Sequence, residues 1–275
     1  MGEIMEQRDG DCVTVMIANE RRLNALTMSM WKQLKAAFDL YGRDEQLRCV
    51  VITGAGVTAF SAGADISEFE TSRATYEQVV DFHESIVGPC LNAIAASPCP
   101  VVAAVRGACM GGGLEIATVC DIRVADSTSR FGAPVGQMGF PLAFAETRLL
   151  FQLVGPATAA ELLMQGRIFT AQEALESRIV SRVVEPGHFQ VLVAQIIRDI
   201  LKSDNQAARS HKRQLRRLLA DQSPITQEER FAEYAFAGSE EYQRGIRRFL
   251  QRSLDKERLD GWQQLDARLA RIKKK

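Results

Sequence analysis

Apolar residues in this chain follow two spacings. In CVTVMIANE and LRCVVITGAG they crowd into short runs rich in β-branched residues, whereas from Met28 to Tyr41 the residues Trp31, Leu34, Phe38 and Tyr41 recur at helical intervals. This pattern predicts strand, helix, strand. CPVVAAVRG and CDIRVAD are two further strand-like runs on either side of GACMGGGLEIATVC, whose second half reads as an apolar helix. Thr75 to Ala96 carries helical periodicity that Gly88-Pro89 should kink or divide. TAQEALESRIVSRVVEP opens with Thr170 three residues before Glu173, a capping-box spacing, and ends as a β-rich run stopped by Pro186-Gly187.

Alternation of strands and helices predicts an α/β domain. Past about residue 190 the strand signal ends and amphipathic helices follow one another, one of them expected to open at Ser223-Pro224. The boundary falls near residues 195–205, so residues 1–200 are expected to form the core and residues 201–275 a helical region. Trp262, Leu265 and Leu269 extend helical spacing into the tail, where they can pack on a neighbouring chain or extend into solvent.

With 275 residues, 46% of them hydrophobic and 25% charged, the chain has the composition of a globular protein with one sizeable core and an appendage. Its formal net charge of zero argues against wholesale attraction to nucleic acid or a membrane surface, and the basic end RLARIKKK reads as solvated. No apolar run is long enough for a membrane span and the first residues are acidic and polar, so a cytoplasmic protein is expected. The six cysteines sit among apolar neighbours without Cys-x-x-Cys spacing, and His83, His188 and His211 are far apart. Buried thiols are expected, and no metal site.

The chemistry concentrates in two stretches. Gly111-Gly112-Gly113 precedes a helix whose first turn carries Glu115. Helix-start N–H groups lack internal partners and glycine lets a ligand approach them, so the triplet suits an anion or oxyanion, although taken alone a tight strand-to-helix turn explains it slightly better. The second stretch, VVITGAGVTAFSAGADISEF, runs from a buried strand into the small residues Ala62-Gly63-Ala64-Asp65. Two such loops can converge on one carbonyl oxygen, and in enzymes where such a donor has been removed the loss costs about 2.7–4 kcal/mol of barrier. The triplet lacks the Gly-x-Gly-x-x-Gly spacing of a dinucleotide site.

AFSAGADISEF, AAVRGACMGGGLEIATVCDIRVAD, NALT and SEEYQRGIRRFLQR together resemble the crotonase (enoyl-CoA hydratase/isomerase) superfamily, in order over most of residues 12–253. The resemblance implies repeated ββα units, a C-terminal helical region that drives trimerisation or hexamer formation, and an acyl-CoA thioester held between two main-chain amides. Those amides fall on Ala64 and Gly112, and Glu115 matches the family's first catalytic glutamate. Ala62, Gly63, Ala64, Asp65, Ile66 and Gly111 would line the CoA and acyl groove, and Arg252 stands where a basic residue meets the nucleotide. Coenzyme A is part of the substrate, and no other cofactor is implied.

One departure matters. Where hydratases of the family carry a second glutamate after Phe-Gly-x-Pro, this chain reads FGAPVGQMGF and places Val135, which can neither take nor give a proton. Glu115 would then work alone in hydration, or shuttle a proton between carbons 2 and 4 as an isomerase, or find a partner in Glu146, Gln137 or Glu84. A chain that only binds acyl-CoA is the reading from outside enzymology. Glu146 is the best placed of the three partners, although its neighbour Arg148 suggests an ordinary helix surface. His83 reads as a packed or surface side chain, Cys109 as a small buried one, and Asp121 as a structural hydrogen-bonding group.

Overall fold

The computed structural model describes residues 2–221 and 223–251. Arg252 and the tail with Trp262, Leu265 and Leu269 lie outside the described residues. Strands β1 (Glu3–Asp9), β2 (Cys12–Ala18) and β3 (Cys49–Gly54) surround helix α1 (Met28–Tyr41), which Thr27 caps through the Met30 N–H. β1 leaves no strand signal in the sequence: its alternation is mostly charged and it pairs only with β2, at the sheet edge. After β4 (Ala59–Ser61) come the short helices α2 (Phe69–Ser72) and α3 (Tyr76–Val80), a π-helical stretch over Asp81–Val87, and α4 (Gly88–Ala96) with Pro89 in its first turn. The expected break at Gly88-Pro89 is thus a change of helix type, with the chain continuing as helix.

Next follow β5 (Val101–Val105), β6 (Ala108–Met110) and α5 (Gly112–Val119), then β7 (Ile122–Asp126), β8 (Arg130–Gly132) and α6 (Phe144–Leu163). β9 (Phe169–Thr170), α7 (Ala171–Glu176), β10 (Arg182–Val184), α8 (Phe189–Lys202) and α9 (Asn205–Ala220) complete the first compact unit, which ends at Asp221. The strands form a six-stranded sheet in the order β1-β2-β3-β5-β7-β10 and a four-stranded one in the order β4-β6-β8-β9. In the repeats β5-β6-α5 and β7-β8-α6 the first strand joins the large sheet and the second the small one, whereas β1 and β2 both lie in the large sheet.

Parallel strands covered on both faces read as unbroken apolar runs, because alternate residues point to opposite layers. Val50 and Ile52 of β3, with Val101, Ala103 and Val105 of β5, face the core that holds α1, α4 and α5. Val51, Val102 and Ala104 face the other way, onto Phe189, Val193 and Ile196 of the amphipathic α8. α9 belongs to this same unit, so the division falls after Asp221 and not at residue 200. The buried Lys212 of α9 donates to Cys99 O at 2.9 Å and meets Asp121 at 2.7 Å, while Asp121 accepts from the Val101 N–H. The hydrogen bonds of Asp121 are therefore structural ones.

The second unit, described over residues 223–251, contains α10 (Gln227–Ala232), a 3-10 turn over Ala235–Gly238, and helical residues 240–251. Ser223-Pro224 does not open its first helix. Thr226 does, through a capping box in which Thr226 Oγ1 accepts from the Glu229 N–H and Glu229 from the Thr226 N–H. That reciprocal pair satisfies two helix-end donors, more than the Ser-Pro start could. All six cysteines are buried and unpaired. Among the described residues no helix is long and apolar enough to cross a membrane, and no group of three or more His, Cys, Asp or Glu side chains could hold a metal ion.

Candidate active site

The N-terminus of α5 and the turn after β4 meet because β4 and β6 are neighbours in the small sheet. Gly111 caps α5 with φ +47°, and Gly63 has φ +96°. Neither angle suits a residue with a Cβ. A Cβ on Gly63 would lie 3.3 Å from Gly112 N, and one on Gly112 would lie 3.6 Å from Ala64 N and 2.8 Å from the Trp31 ring. The two chains are packed backbone against backbone.

The Ala64 N–H donates to no acceptor among the described residues, since the adjacent bridge uses Leu26 N–H to Gly63 O and Asp65 N–H to Leu26 O. Gly112 is the first residue of α5, so its N–H has no acceptor within the helix. Both residues line a cavity of about 400 Å³, as do Ala62, Gly63, Ile66, Gly111, Val135 and Glu115. Asp65 is the exception among the expected lining residues. Its buried carboxylate binds Arg22 at 2.7 Å and accepts from the Ser67 N–H, which ties the loop down instead of facing the cavity.

Glu115 lies in the first turn of α5, half-buried, its own N–H bonded to Gly111 O at 2.9 Å. Burial holds its carboxyl well above the usual carboxylate range, the negative charge of Glu146 adds to this, and the Arg73 charge opposes it. The helix start should favour the anion, but burial outweighs it.

Around Glu115 stand residues whose place the sequence pattern misassigns or does not signal. Glu146, in the first turn of α6, is only 3% exposed, which overturns the expected surface position. Its Oε1 lies 2.7 Å from His83 Nδ1, and its Oε2 accepts from the Ala143 N–H at 3.1 Å. His83 belongs to the π-helical stretch and lines the cavity. Arg73 carries no signal in the sequence at all. Its guanidinium centre lies 3.4 Å from the Phe82 ring centroid and 4.1 Å from that of Phe69, and its buried Nε has no hydrogen-bond partner. Burial lowers its pKa to about 10 against the pull of Glu115 and Glu146. Of the other candidates, Gln137 lines the cavity, while Cys109 is buried and its thiol is pushed up by burial.

Unbonded main-chain donors beside a protonatable carboxyl define a site that can polarise a carbonyl and move a proton at the adjacent carbon. Comparison with known proteins agrees with that chemistry. Residues 8–256 match the profile of the family described as enoyl-CoA hydratase/isomerase. The chain belongs to this family, and its α/β architecture is the crotonase fold. It is 32% identical over 217 residues to a short-chain-enoyl-CoA hydratase of Clostridium acetobutylicum, covering 79% of this chain and 82% of that protein. It is also 32% identical over 209 residues to a crotonyl-CoA hydratase of Syntrophomonas wolfei, covering 76% and 79%. A solved enoyl-CoA hydratase/carnitine racemase structure from Magnetospirillum magneticum superposes with TM-score 0.88 at 36% identity, covering 90% of this chain and 92% of the other.

Proposed function

We propose that this protein is an enoyl-CoA hydratase that adds water across the double bond of a 2-enoyl-CoA thioester. The observation that carries the reading is the convergence of the Ala64 and Gly112 amides on a cavity that Glu115 also lines. The thioester oxygen accepts from both amides. As an oxygen nucleophile adds to carbon 3, the negative charge moves onto that oxygen, where donors already in place stabilise it without reorganising. Glu115, whose buried setting favours the protonated form, delivers a proton to carbon 2. The reaction is redox-neutral, so coenzyme A enters only as part of the substrate. Ala62, Gly63, Gly111, Ile66 and Val135 shape the acyl groove.

Oligomerisation to a homotrimer or homohexamer belongs to the same proposal. Phe231 and Tyr234 of the second unit are 59% and 60% exposed and offer apolar surface to another copy, which light scattering on the purified protein would test. A cytoplasmic location is supported by the six unpaired thiols.

The test is incubation with crotonyl-CoA and, separately, with a 3-enoyl-CoA. Wild type is expected to form 3-hydroxyacyl-CoA, and Glu115→Gln to lose about 10²–10⁴-fold in kcat. Migration of the double bond without hydration would replace this reading by the isomerase one. Binding of acyl-CoA without either product would leave a binding protein.

A further inference from the structure

Val135 leaves the proposed reaction one carboxylate short at the loop where relatives resembling this chain would supply it. A second carboxylate nevertheless reaches the same place from α6. Glu115 and Glu146 together line a niche of about 10 Å³, walled otherwise by apolar side chains such as Leu114, Leu149 and Leu150 and by Thr118, whose hydroxyl donates to Leu114 O. That is about the smallest space that holds one water molecule. Glu146 accepts one hydrogen bond at each oxygen, and each oxygen keeps a second acceptor site. A first-turn glutamate serving only as a helix cap has no need of burial to 3% exposure or of a histidine partner.

We infer that Glu146, positioned by His83, is the second catalytic carboxylate, and that the niche between Glu115 and Glu146 seats the water that adds to the substrate. The inference rests on the hydratase reading. In the forward step a water O–H bond breaks and its proton goes to the Glu146 carboxylate, while the water oxygen forms a bond to carbon 3. The π electron pair of carbons 2 and 3 moves to carbons 1 and 2, leaving the negative charge on the thioester oxygen between the Ala64 and Gly112 amides. The enolate then takes the Glu115 proton at carbon 2. One water has been added, and a proton passing across the niche from Glu146 to Glu115 restores the starting state. Two carboxylates at one site share a single proton more readily than they carry two charges, and burial together with the Glu146 charge raises the carboxyl of Glu115 well above its ordinary range. Arg73 and His83 are the other ionisable groups facing them.

The experiment uses the full chain and two assays: hydration of crotonyl-CoA, and exchange of the carbon-2 hydrogens of butyryl-CoA in D₂O, which needs the amides and ionised Glu115 as base, a form that removal of the Glu146 charge favours, but no seated water. Glu146→Gln keeps a residue able to cap α6 at the same position. It is expected to lower kcat for hydration about 10²–10⁴-fold, with KM near that of wild type and exchange retained. His83→Asn, which keeps a donor near the Nδ1 position, should recover most of the hydration that His83→Leu loses, and only His83→Leu should distort the pH profile. Hydration by Glu146→Gln within about threefold of wild type would overturn the inference and leave the Glu115 reading standing. Loss of exchange together with hydration in Glu146→Gln would make Glu146 a scaffold group and also overturn it. Hydration unaffected by Glu115→Gln would instead sink the reading on which the inference rests.

Discussion

The two walls of the cavity are built on different principles. One is main chain: the Ala62–Ala64 turn and the Gly111–Gly112 start of α5, adjacent strands of one small sheet having brought them together. The other is side chain: Arg73 and His83 line the cavity, and Glu146, bonded to His83, lines the small niche that adjoins it at Glu115, the three lying up to 73 residues apart in the sequence. The backbone wall positions donors that never titrate and cannot rotate. The side-chain wall sets protonation, since the charges of Glu146 and Arg73 push Glu115 in opposite directions. Position and protonation are therefore separable in this site, and substitutions should separate them.

Gly112→Ala should have the largest combined effect on activity and stability. The new Cβ would come within 2.8 Å of the Trp31 ring, and Trp31 is fully buried and cannot swing away. The α5 start has to move, and the Gly112 N–H moves with it. Hydration should fall about 10²–10³-fold, as for loss of one oxyanion donor, and over-packing should cost about 1–3 kcal/mol of stability. Glu146→Gln, by contrast, should lose activity with little change in Tm. Equal Tm losses in the two variants would dissolve the distinction between the walls.

The same difference explains what could be read from the sequence. The backbone wall announces itself locally, because only glycine and alanine leave amides reachable, and GACMGGGLEI and AFSAGAD each show this within a few residues. α1 and the central strands were equally legible, their apolar spacing matching burial on one or both faces. The second strands of the ββα repeats were not: β4, β6 and β8 have three residues each, too few for any period. Glu146 looked like a surface residue because an acid in a helix's first turn is stable in water without a partner. Its partner His83 lies 63 positions away, and no local pattern links them. Arg73, in the polar run ETSRATYEQ, has aromatic neighbours only after α2 folds back toward Phe82.

Arg73→Gln is the next sharpest test. The Arg73 charge favours ionised Glu115, whereas the Glu146 charge disfavours it. Removing Arg73 should move the loss of hydration with rising pH to higher pH, and Glu146→Gln should move the residual activity the other way. The effect of Arg73→Gln on kcat/KM should stay within about thirtyfold, since the attraction between the guanidinium and its aromatic neighbours is worth about 0.5–2 kcal/mol. Profiles that shift in the same direction for both variants would show that the side-chain wall does not act on Glu115 by charge.

The smallest effect concerns stability. Glu115 has a folded-state pKa raised well above its ordinary value, so the native chain holds a proton that the unfolded chain releases. At about pH 4 both states are largely protonated and the group costs little. As pH rises the unfolded chain ionises first, and native stability falls until the buried carboxyl ionises as well. A glutamine at this position has nothing to titrate. Glu115→Gln should therefore be more stable than wild type by about 0.5–2 kcal/mol near neutral pH, in keeping with the usual cost of a functional group held in an unfavourable setting. The gain should shrink toward about pH 4, and thermal melts of both proteins across that interval would measure it. A stability difference independent of pH would mean that Glu115 keeps its ordinary pKa in the fold. It would then be ionised at neutral pH, with no proton of its own to give to carbon 2, and the side-chain wall would have to deliver that proton from Glu146.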